Sequence, residues 1–225
     1  MPSLIAHRGY PHHYPENTLA GLTAAIDHGA RHIEIDVQIS ADGVAVVFHD
    51  EDLQRLCGVE GRITALDLAA IRALRVGGEP VPTLAEFADL LRAHAHVHAF
   101  VELKQESIDI KGEVAMLAAV ATALAGVRAR CTLISFNAGV LALATGWRVG
   151  WVTDAWPRAL PPGIEVWFCD VAALPPDGPV NPFVVPLAVY EVTDPVLAQR
   201  LAARGVSFIE SFDIGDMRRA LPAWA

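Results

Sequence analysis

The sequence is short of cysteine and of basic residues. Its three cysteines, Cys57, Cys131 and Cys169, are too few and too widely spaced to build a disulfide framework or a zinc cluster. Its 17 lysines and arginines stand against 26 aspartates and glutamates, which gives a formal net charge of -9. Because nucleic-acid binding depends on an excess of basic residues, these shortages exclude a disulfide-stapled scaffold and argue against a nucleic-acid partner.

Long apolar runs are also missing. No stretch of about 18 consecutive apolar residues occurs, so we expect no transmembrane helix and no stable membrane insertion. The first motif, at residues 5–9, begins too early to leave room for a cleaved leader, and we therefore expect a cytoplasmic protein. Hydrophobic residues make up 53% of the chain, which is enough for a large core. The length suits one domain over residues 1–225.

Apolar strand-like runs alternate with helical patterns, which predicts βα units around a parallel sheet. The strand-like runs occupy residues 4–7, 33–39, 44–48, 99–103, 131–136, 149–152, 164–168, 189–192 and 207–209. The series is close to eight strands and predicts a single (β/α)8 TIM-type barrel, with a short insertion at about residues 50–80 after the second strand. The proline-rich segment 157–186 predicts short or missing helices. A doubly wound open sheet is the alternative, although no glycine-rich nucleotide motif supports it.

Two of these strands carry charged side chains that a barrel would bury. Glu34 and Asp36 alternate with apolar residues, so that both carboxylates point into a barrel, and Glu102 and Lys104 repeat the pattern. A solvated acidic face and an ordinary salt bridge are the alternatives for the two pairs. Buried ions are costly unless they are paired or bind a metal, and a barrel has no solvated inner face. Oxygen ligands favour Mg²⁺ or Ca²⁺, with Mn²⁺ also open.

Two histidines follow strand-like runs. His7 ends the first strand, and His49 ends the run at residues 44–48. Each histidine taken alone could be structural. Barrel enzymes place their chemistry at C-terminal strand ends, so next to the three acids we interpret the histidines as catalytic.

Six short motifs occur in a fixed order along the chain. They are His7-Arg8-Gly9, Pro15-Glu16-Asn17-Thr18, Glu34-x-Asp36, His49-Asp50, Pro82-Thr83-Leu84 and Glu102-x-Lys104. This ordered set resembles the glycerophosphodiester phosphodiesterase family, closely over roughly the first 140 residues and loosely beyond. The resemblance implies a (β/α)-barrel that hydrolyses a glycerophosphodiester to sn-glycerol 3-phosphate and an alcohol with a divalent metal.

The resemblance also implies a role for each matching residue. The acid and base assignments, the nucleophile (water or a substrate hydroxyl), the leaving alcohol, the metal and the oligomeric state stay open. The implied metal ligands are Glu34, Asp36 and Glu102, the general acid and base are His7 and His49, the phosphate contacts are Arg8 and Lys104, and the supporting residues are Glu16 and Asn17.

The sequence departs from the family pattern near its end. Tyr190-Glu191-Val192-Thr193 and Glu210-Ser211 stand where many members have a Trp-Thr-Val-Asn-like stretch and a Thr-Asp pair. We expect Tyr190 and Glu210 to face the alcohol part of the substrate rather than the metal, the alternative being neutral drift at a solvated rim. Two other functions remain open: a phospholipid-directed phosphodiesterase of the same superfamily, and a non-catalytic barrel that binds phosphorylated metabolites.

Overall fold

The structure is a computed structural model that describes residues 1–224. It contains a barrel of parallel strands with helices around it. Within residues 1–224 the strands are β1 (Ser3–Ala6), β2 (His32–Ile39), β3 (Ala45–Val47), β4 (Arg75–Val76), β5 (Glu79–Pro80), β6 (His98–Leu103), β7 (Cys131–Ser135), β8 (Arg148–Thr153), β9 (Val166–Asp170), β10 (Leu187–Tyr190) and β11 (Phe208–Ser211).

Eight of these strands form a closed ring. Their order is β1-β11-β10-β9-β8-β7-β6-β2, all neighbours are parallel, and β1 also pairs with β2. The prediction of a TIM-type (β/α)8 barrel is therefore confirmed, and the open-sheet alternative is wrong. β3 lies outside the ring and pairs antiparallel with the end of β2, where Val47 faces Val37.

The helices pack on the outside of the barrel. Thr18 caps the first of them by accepting a hydrogen bond from the Gly21 amide, and Thr83 and Glu86 form the capping box that their spacing indicates. The helices within residues 1–224 are α1 (Leu19–Asp27), α2 (Gln54–Cys57), α3 (Leu68–Ala73), α4 (Leu84–Ala93), α5 (Gln105–Lys111), α6 (Glu113–Leu124), α7 (Ala138–Leu143), α8 (Pro195–Ala203) and α9 (Ile214–Ala220).

The helical layer thins where the sequence is rich in proline. No α-helix lies between β8 and β9 in the described chain, and only a 3₁₀ turn, Val171–Ala173, lies between β9 and β10. Proline lacks the amide hydrogen that an α-helix needs, which explains why these two connections contain no α-helix.

Alternation along the strands divides the core into two layers. Ile5, Phe100 and Phe168 pack together inside the barrel, whereas Ile33 and Val101 belong to the layer between the barrel and its helices. Because neighbouring positions face opposite sides, Glu34 and Glu102 must then point inward.

Residues 48–83 form a compact substructure between β3 and α4. It holds α2, α3, a 3₁₀ turn (Ile63–Ala65) and the antiparallel pair β4–β5. A separate apolar cluster that includes Phe48, Leu53, Ile63 and Ile71 stabilises it. The segment therefore has its own small core beside the barrel mouth.

Candidate active site

A pocket opens at the C-terminal end of the barrel strands. Its wall combines charged residues from the ends of β1, β2, β6 and β11 with apolar side chains from β7 to β9. The pocket is lined by His7, Arg8, Glu34, His49, Glu102, Lys104, Ile134, Phe136, Val152, Phe168, Tyr190, Glu191 and Glu210.

Three predicted carboxylates meet at one point of this site. Glu34 and Asp36 lie on β2, and the parallel register places Glu102 of β6 beside Asp36. One oxygen from each of the three groups lies within 4.8 Å of the others. Three acids this close repel one another when all are ionised, so the cluster suits a cation.

Asp36 has the best-compensated charge of the three. Arg8 Nε lies 3.2 Å from its Oδ2 atom, Lys104 Nζ lies 3.4 Å from Oδ1, and Asn17 Nδ2 donates to Oδ2 at 2.8 Å. Burial opposes ionisation, but Lys104 and Arg8 outweigh it and hold the pKa of Asp36 well below its usual range.

Glu34 and Glu102 are compensated less well. Burial raises the pKa of Glu34 well above its usual range, and the nearby Asp36 charge adds to the effect. Burial also raises the pKa of Glu102 to about 7, although Lys104 Nζ lies 3.0 Å from its Oε1 atom. The buried Glu34 Oε1 has no hydrogen-bond partner among residues 1–224. Under-compensated oxygens of this kind are the donors that a hard cation takes.

The loop after β1 folds back over the carboxylates. Arg8 and Asn17 both adopt left-handed backbone conformations, with φ of 54° and 56°. In this conformation the Arg8 amide donates to Glu34 Oε2 at 3.2 Å, and the Arg8 guanidinium donates to Glu16 Oε1 at 3.2 Å. The predicted residues of the two loop motifs therefore reach the same site.

His7 is buried beside two carboxylates. Its Nε2 atom lies 3.7 Å from Glu34 Oε2, and its Nδ1 atom lies 3.9 Å from Glu210 Oε2. The ring stacks on Phe212 with centroids 4.3 Å apart. Burial, followed by the charge of Arg8, lowers the pKa of His7 well below its usual value, which favours the neutral ring.

His49 reaches the pocket by a route that the sequence pattern did not predict. It follows β3, which is antiparallel to β2, and so it does not lie at the C-terminal end of a barrel strand as expected. β2 extends past the barrel mouth, and the returning strand brings His49 back to it. There His49 Nδ1 lies 2.7 Å from Asp50 Oδ1, and the side chain is only partly buried.

Two residues at the site were not among the sequence predictions. Gln38 is fully buried, and its amide nitrogen donates to the carbonyl oxygen of Asp50 at 2.6 Å. Arg55 of α2 donates to both Glu16 oxygens, at 2.7 and 2.8 Å, and also to Asp50. Gln38 lies on the same face of β2 as Glu34, so strand alternation could have predicted that its side chain points into the barrel. The weak periodicity around Arg55 gave no comparable prediction.

The two predicted substrate-alcohol residues differ in position. Tyr190 lines the pocket and donates its hydroxyl to the Thr153 carbonyl oxygen at 2.9 Å. Glu210 is only 3% exposed and groups with His7 and Glu34, so it lies deeper and closer to the acidic cluster than expected. Burial raises the pKa of Glu210 well above its usual range, and Glu102 adds to the effect.

The part of the chain that carries most of these site residues matches a known protein family. The model of the glycerophosphoryl diester phosphodiesterase family matches residues 7–146. The chain belongs to this family. The match covers every motif from His7 to Lys104, whereas Tyr190 and Glu210 lie beyond it.

Family relatives match this chain over part of its length. A glycerophosphodiester phosphodiesterase of Caldanaerobacter subterraneus subsp. tengcongensis is 41% identical over 96 residues, which is 39% of this chain and 40% of that protein. Glycerophosphodiester phosphodiesterase 1 of Bos taurus is 38% identical over 94 residues, or 37% and 28% of the two chains. The matched part thus spans less than half of these two relatives.

Solved structures share the fold over nearly the whole chain. An Oleispira antarctica phosphodiesterase in complex with the product sn-glycerol-3-phosphate has a TM-score of 0.84 and 24% identity, with 99% of this chain and 97% of that chain covered. A glycerophosphodiester phosphodiesterase from Agrobacterium tumefaciens has a TM-score of 0.76 and 25% identity, covering 97% and 100%. These likenesses establish the shared barrel fold. None of the helices within residues 1–224 has the length and apolar character needed to span a membrane.

Proposed function

We propose that this chain is a metal-dependent phosphodiesterase that hydrolyses glycerophosphodiesters to sn-glycerol 3-phosphate and an alcohol. One observation carries the proposal: both histidines, the three carboxylates and the two cationic side chains of the family motifs converge on one pocket. The names of the partial relatives support it. We treat residues 1–225 as one catalytic barrel. We also place it in the cytoplasm, since Cys57, Cys131 and Cys169 are all free thiols.

The donor set fits a hard divalent cation. Glu34, Asp36 and Glu102 would hold it, because their oxygens converge and the Glu34 Oε1 atom lacks another partner among the described residues. Mg²⁺ or Ca²⁺ suits an all-oxygen set, and Mn²⁺ also fits. When bound, the cation would supply electrostatic stabilisation of charge that develops on the phosphate oxygens.

Charge balance explains how the site accepts an anion in an acidic protein. When the three carboxylates are ionised they carry three negative charges, and Arg8 and Lys104 return two. A divalent cation would leave one net positive charge, which a phosphodiester monoanion neutralises. Arg8 and Lys104 already flank Asp36, at 3.2 and 3.4 Å, so they can contact phosphate oxygens beside the same carboxylate.

We assign the two proton transfers of the hydrolysis to His7 and His49. His49 is oriented by Asp50, which holds Nδ1 and leaves Nε2 free for the reaction. Arg55 in turn holds Asp50 and Glu16, so the segment at residues 48–83 contributes to the orientation of His49. One histidine accepts a proton from the nucleophile and the other delivers one to the leaving alkoxide, each transfer typically contributing about 10²–10⁴ in rate.

We assign selectivity for the alcohol group of the substrate to the side of the pocket opposite Glu34, Asp36 and Glu102. Tyr190, Phe136, Val152 and Phe168 line that part of the pocket. Because the Tyr190 hydroxyl is engaged with Thr153, its ring rather than its hydroxyl would contact the alcohol group.

A substrate panel tests the proposal. Purified protein is incubated with glycerophosphocholine, glycerophosphoethanolamine and glycerophosphoinositol, each with Mg²⁺, Ca²⁺ or Mn²⁺, and sn-glycerol 3-phosphate is measured enzymatically. Metal-dependent product is expected from at least one diester, and its loss in His49→Ala is expected to exceed about a hundredfold. Turnover of lysophospholipid or sphingomyelin vesicles alone would favour a phospholipid-directed enzyme. Calorimetric binding of the diesters without any turnover would favour the non-catalytic barrel.

A further inference from the structure

Glu210 lies opposite His7 because of the strand register. β1 and β11 are parallel neighbours, Ile5 pairs with Glu210, and the His7 amide donates to the Ser211 carbonyl oxygen at 3.0 Å. Ile5 points into the barrel, and alternation turns both Glu210 and His7 to the same side. The two side chains therefore face each other over the top of the barrel core.

Both side chains have buried polar atoms that need a partner. His7 Nδ1 and Glu210 Oε1 are buried and make no hydrogen bond with any part of the chain from residue 1 to 224. An unpaired buried polar atom destabilises the folded protein, because it has lost its hydrogen bonds to water without replacing them. The second Glu210 oxygen, Oε2, lies 3.9 Å from Nδ1, so a small movement of either side chain would satisfy the pair.

The side chains around His7 restrict the orientation of its imidazole ring. Stacking on Phe212, with ring planes 10° apart, restricts how far the imidazole can tilt. Arg8 lies over the same phenyl ring, with its guanidinium carbon 5.5 Å from the centroid. With the ring plane held, the two nitrogens are directed apart: Nε2 toward Glu34 and Nδ1 toward Glu210.

We propose that Glu210 is a positioning residue that accepts a hydrogen bond from His7 Nδ1–H and so makes Nε2 the nitrogen that exchanges a proton with the substrate. This role rests on the proposed function of His7. Hydrogen bonds of catalytic groups are often long in a free enzyme and shorten when substrate binds, which fits the separation of 3.9 Å. A glutamate oxygen can accept in either protonation state, so the role does not depend on the charge of Glu210.

A second cation is the competing explanation for Glu210. One donor atom each from His7, Glu34 and Glu210 lies within 4.8 Å of the others. The closest contacts favour the positioning role, because Nε2 is the His7 nitrogen that lies 3.7 Å from Glu34 and Nδ1 is the one that lies 3.9 Å from Glu210. A cation would instead bind one His7 nitrogen together with both carboxylates.

A double-mutant cycle tests whether Glu210 acts through His7. Glu210→Leu is expected to lower kcat about 10- to 100-fold with KM for glycerophosphocholine nearly unchanged, since outer partners of a functional histidine typically contribute this much. Glu210→Gln keeps a neutral acceptor and should recover most of the loss. The double variant with His7→Ala should be no slower than His7→Ala alone. Losses that multiply would overturn the proposal. Glu165→Leu, near the opposite end of the barrel, controls for removing a glutamate.

Histidine NMR gives a readout that needs no turnover. With ¹⁵N-labelled histidine and Mg²⁺ at a pH where the ring is neutral, the His7 signals are assigned by their loss in His7→Ala. We expect the proton on Nδ1 in the wild type and on Nε2 in Glu210→Leu. A wild-type Nε2–H tautomer would overturn the proposal even if the leucine variant does not fold. An enzyme that turns over no diester but shows the Nδ1–H tautomer would instead refute the proposed function.

The number of metal ions bound per chain distinguishes the positioning role of Glu210 from a second cation site. Equilibrium dialysis with Mn²⁺ is expected to give the same number of bound ions per chain for wild type and Glu210→Gln. One ion fewer in Glu210→Gln would make Glu210 a metal ligand and would overturn the positioning role. Glu34→Gln should bind less Mn²⁺ than the wild type, which checks that the assay detects the site formed by Glu34, Asp36 and Glu102.

Discussion

Gln38 ties the second barrel strand to the loop that carries His49. Its side-chain nitrogen lies 2.6, 3.3 and 3.4 Å from the carbonyl oxygens of Asp50, Phe48 and His49. One buried amide thus holds three consecutive backbone groups, and through them the orientation of a proposed catalytic histidine.

Replacing Gln38 should therefore impair catalysis without affecting the metal. Gln38→Met keeps the length of the side chain but removes its donor, and leaves backbone carbonyls unpaired. We expect a loss of about 1–3 kcal/mol in unfolding free energy and a fall in kcat of at least about tenfold. Denaturant unfolding and steady-state kinetics check this. Gln105→Met on the exposed face of α5 is the matched control and should have the stability and activity of the wild type. If Gln38→Met were as active as the wild type, the loop at residues 48–50 would keep its conformation without the Gln38 hydrogen bonds.

Chelation should lower both activity and stability. Glu34, Asp36 and Glu102 repel one another without a cation, and an ion that binds only the native state stabilises it by mass action, about 2.7 kcal/mol at a hundred times its Kd. The melting temperature is measured with excess chelator, then after adding back Mg²⁺ or Ca²⁺. Glu34→Gln should show a smaller rise on metal addition. Full turnover and an unchanged melting curve in chelator would refute the metal site.

The two histidines should dominate the catalytic losses. His7→Ala and His49→Ala are each expected to reduce kcat/KM by at least about a hundredfold while the protein stays folded, since each is proposed to transfer a proton. His12→Ala and His13→Ala, in the loop after β1, should remain close to wild type. The rate of the wild type should be bell-shaped in pH. A larger loss at His12 or His13 than at His7 or His49 would contradict the assignment.

Glu102 should make the metal-free protein less stable as the pH rises. Its pKa is about 7 in the folded protein, above the ordinary value, so folding favours the protonated form. The stability it contributes is present below about pH 4.5 and is lost as the pH rises to about 7. Partly buried histidines such as His98 act with the opposite sign, because desolvation lowers the pKa of His98 to about 4.

The comparison with Glu102→Gln isolates this effect. In excess chelator the melting temperature of the wild type should fall relative to Glu102→Gln between about pH 4.5 and 7, since glutamine does not titrate. Asp36 contributes little slope in this window, because its pKa is lowered in the folded protein and its ordinary pKa of about 3.9 in the unfolded chain also lies below the window. Added Mg²⁺ should reduce the difference. Parallel melting curves across this range would show that Glu102 is ionised throughout.

Tyr190 should influence which alcohol is preferred. Tyr190→Trp is expected to change the ratio of kcat/KM between choline, ethanolamine and inositol diesters by around tenfold, or ~1.4 kcal/mol, because the ring lines the apolar wall. Turnover of bis-p-nitrophenyl phosphate should change little. Tyr190→Phe keeps the ring but removes the hydroxyl that bonds Thr153, so it distinguishes the effect of the ring from the effect of that hydrogen bond. Unchanged ratios in Tyr190→Trp would make the departure from the family pattern neutral.

The acidic half of the site could be predicted because strand alternation is a local rule. Glu34 and Asp36 are two residues apart and must share a face, and Glu102 and Lys104 obey the same rule. Apolar neighbours such as Ile35 determine which face is outward. The order of the motifs then indicated the family and, with it, the barrel.

Closure of the barrel and the placement of three side chains depended on contacts between distant parts of the chain. Pairing of β1 with both β2 and β11 makes the ring, and no local pattern encodes which strands pair. His49 reaches the mouth only because β3 returns along β2. Arg55 joins the site only because the core of residues 48–83 turns α2 toward Glu16. Glu210 has inward parity in the sequence, but its position against His7 follows from the register of β1 and β11, which long-range packing determines.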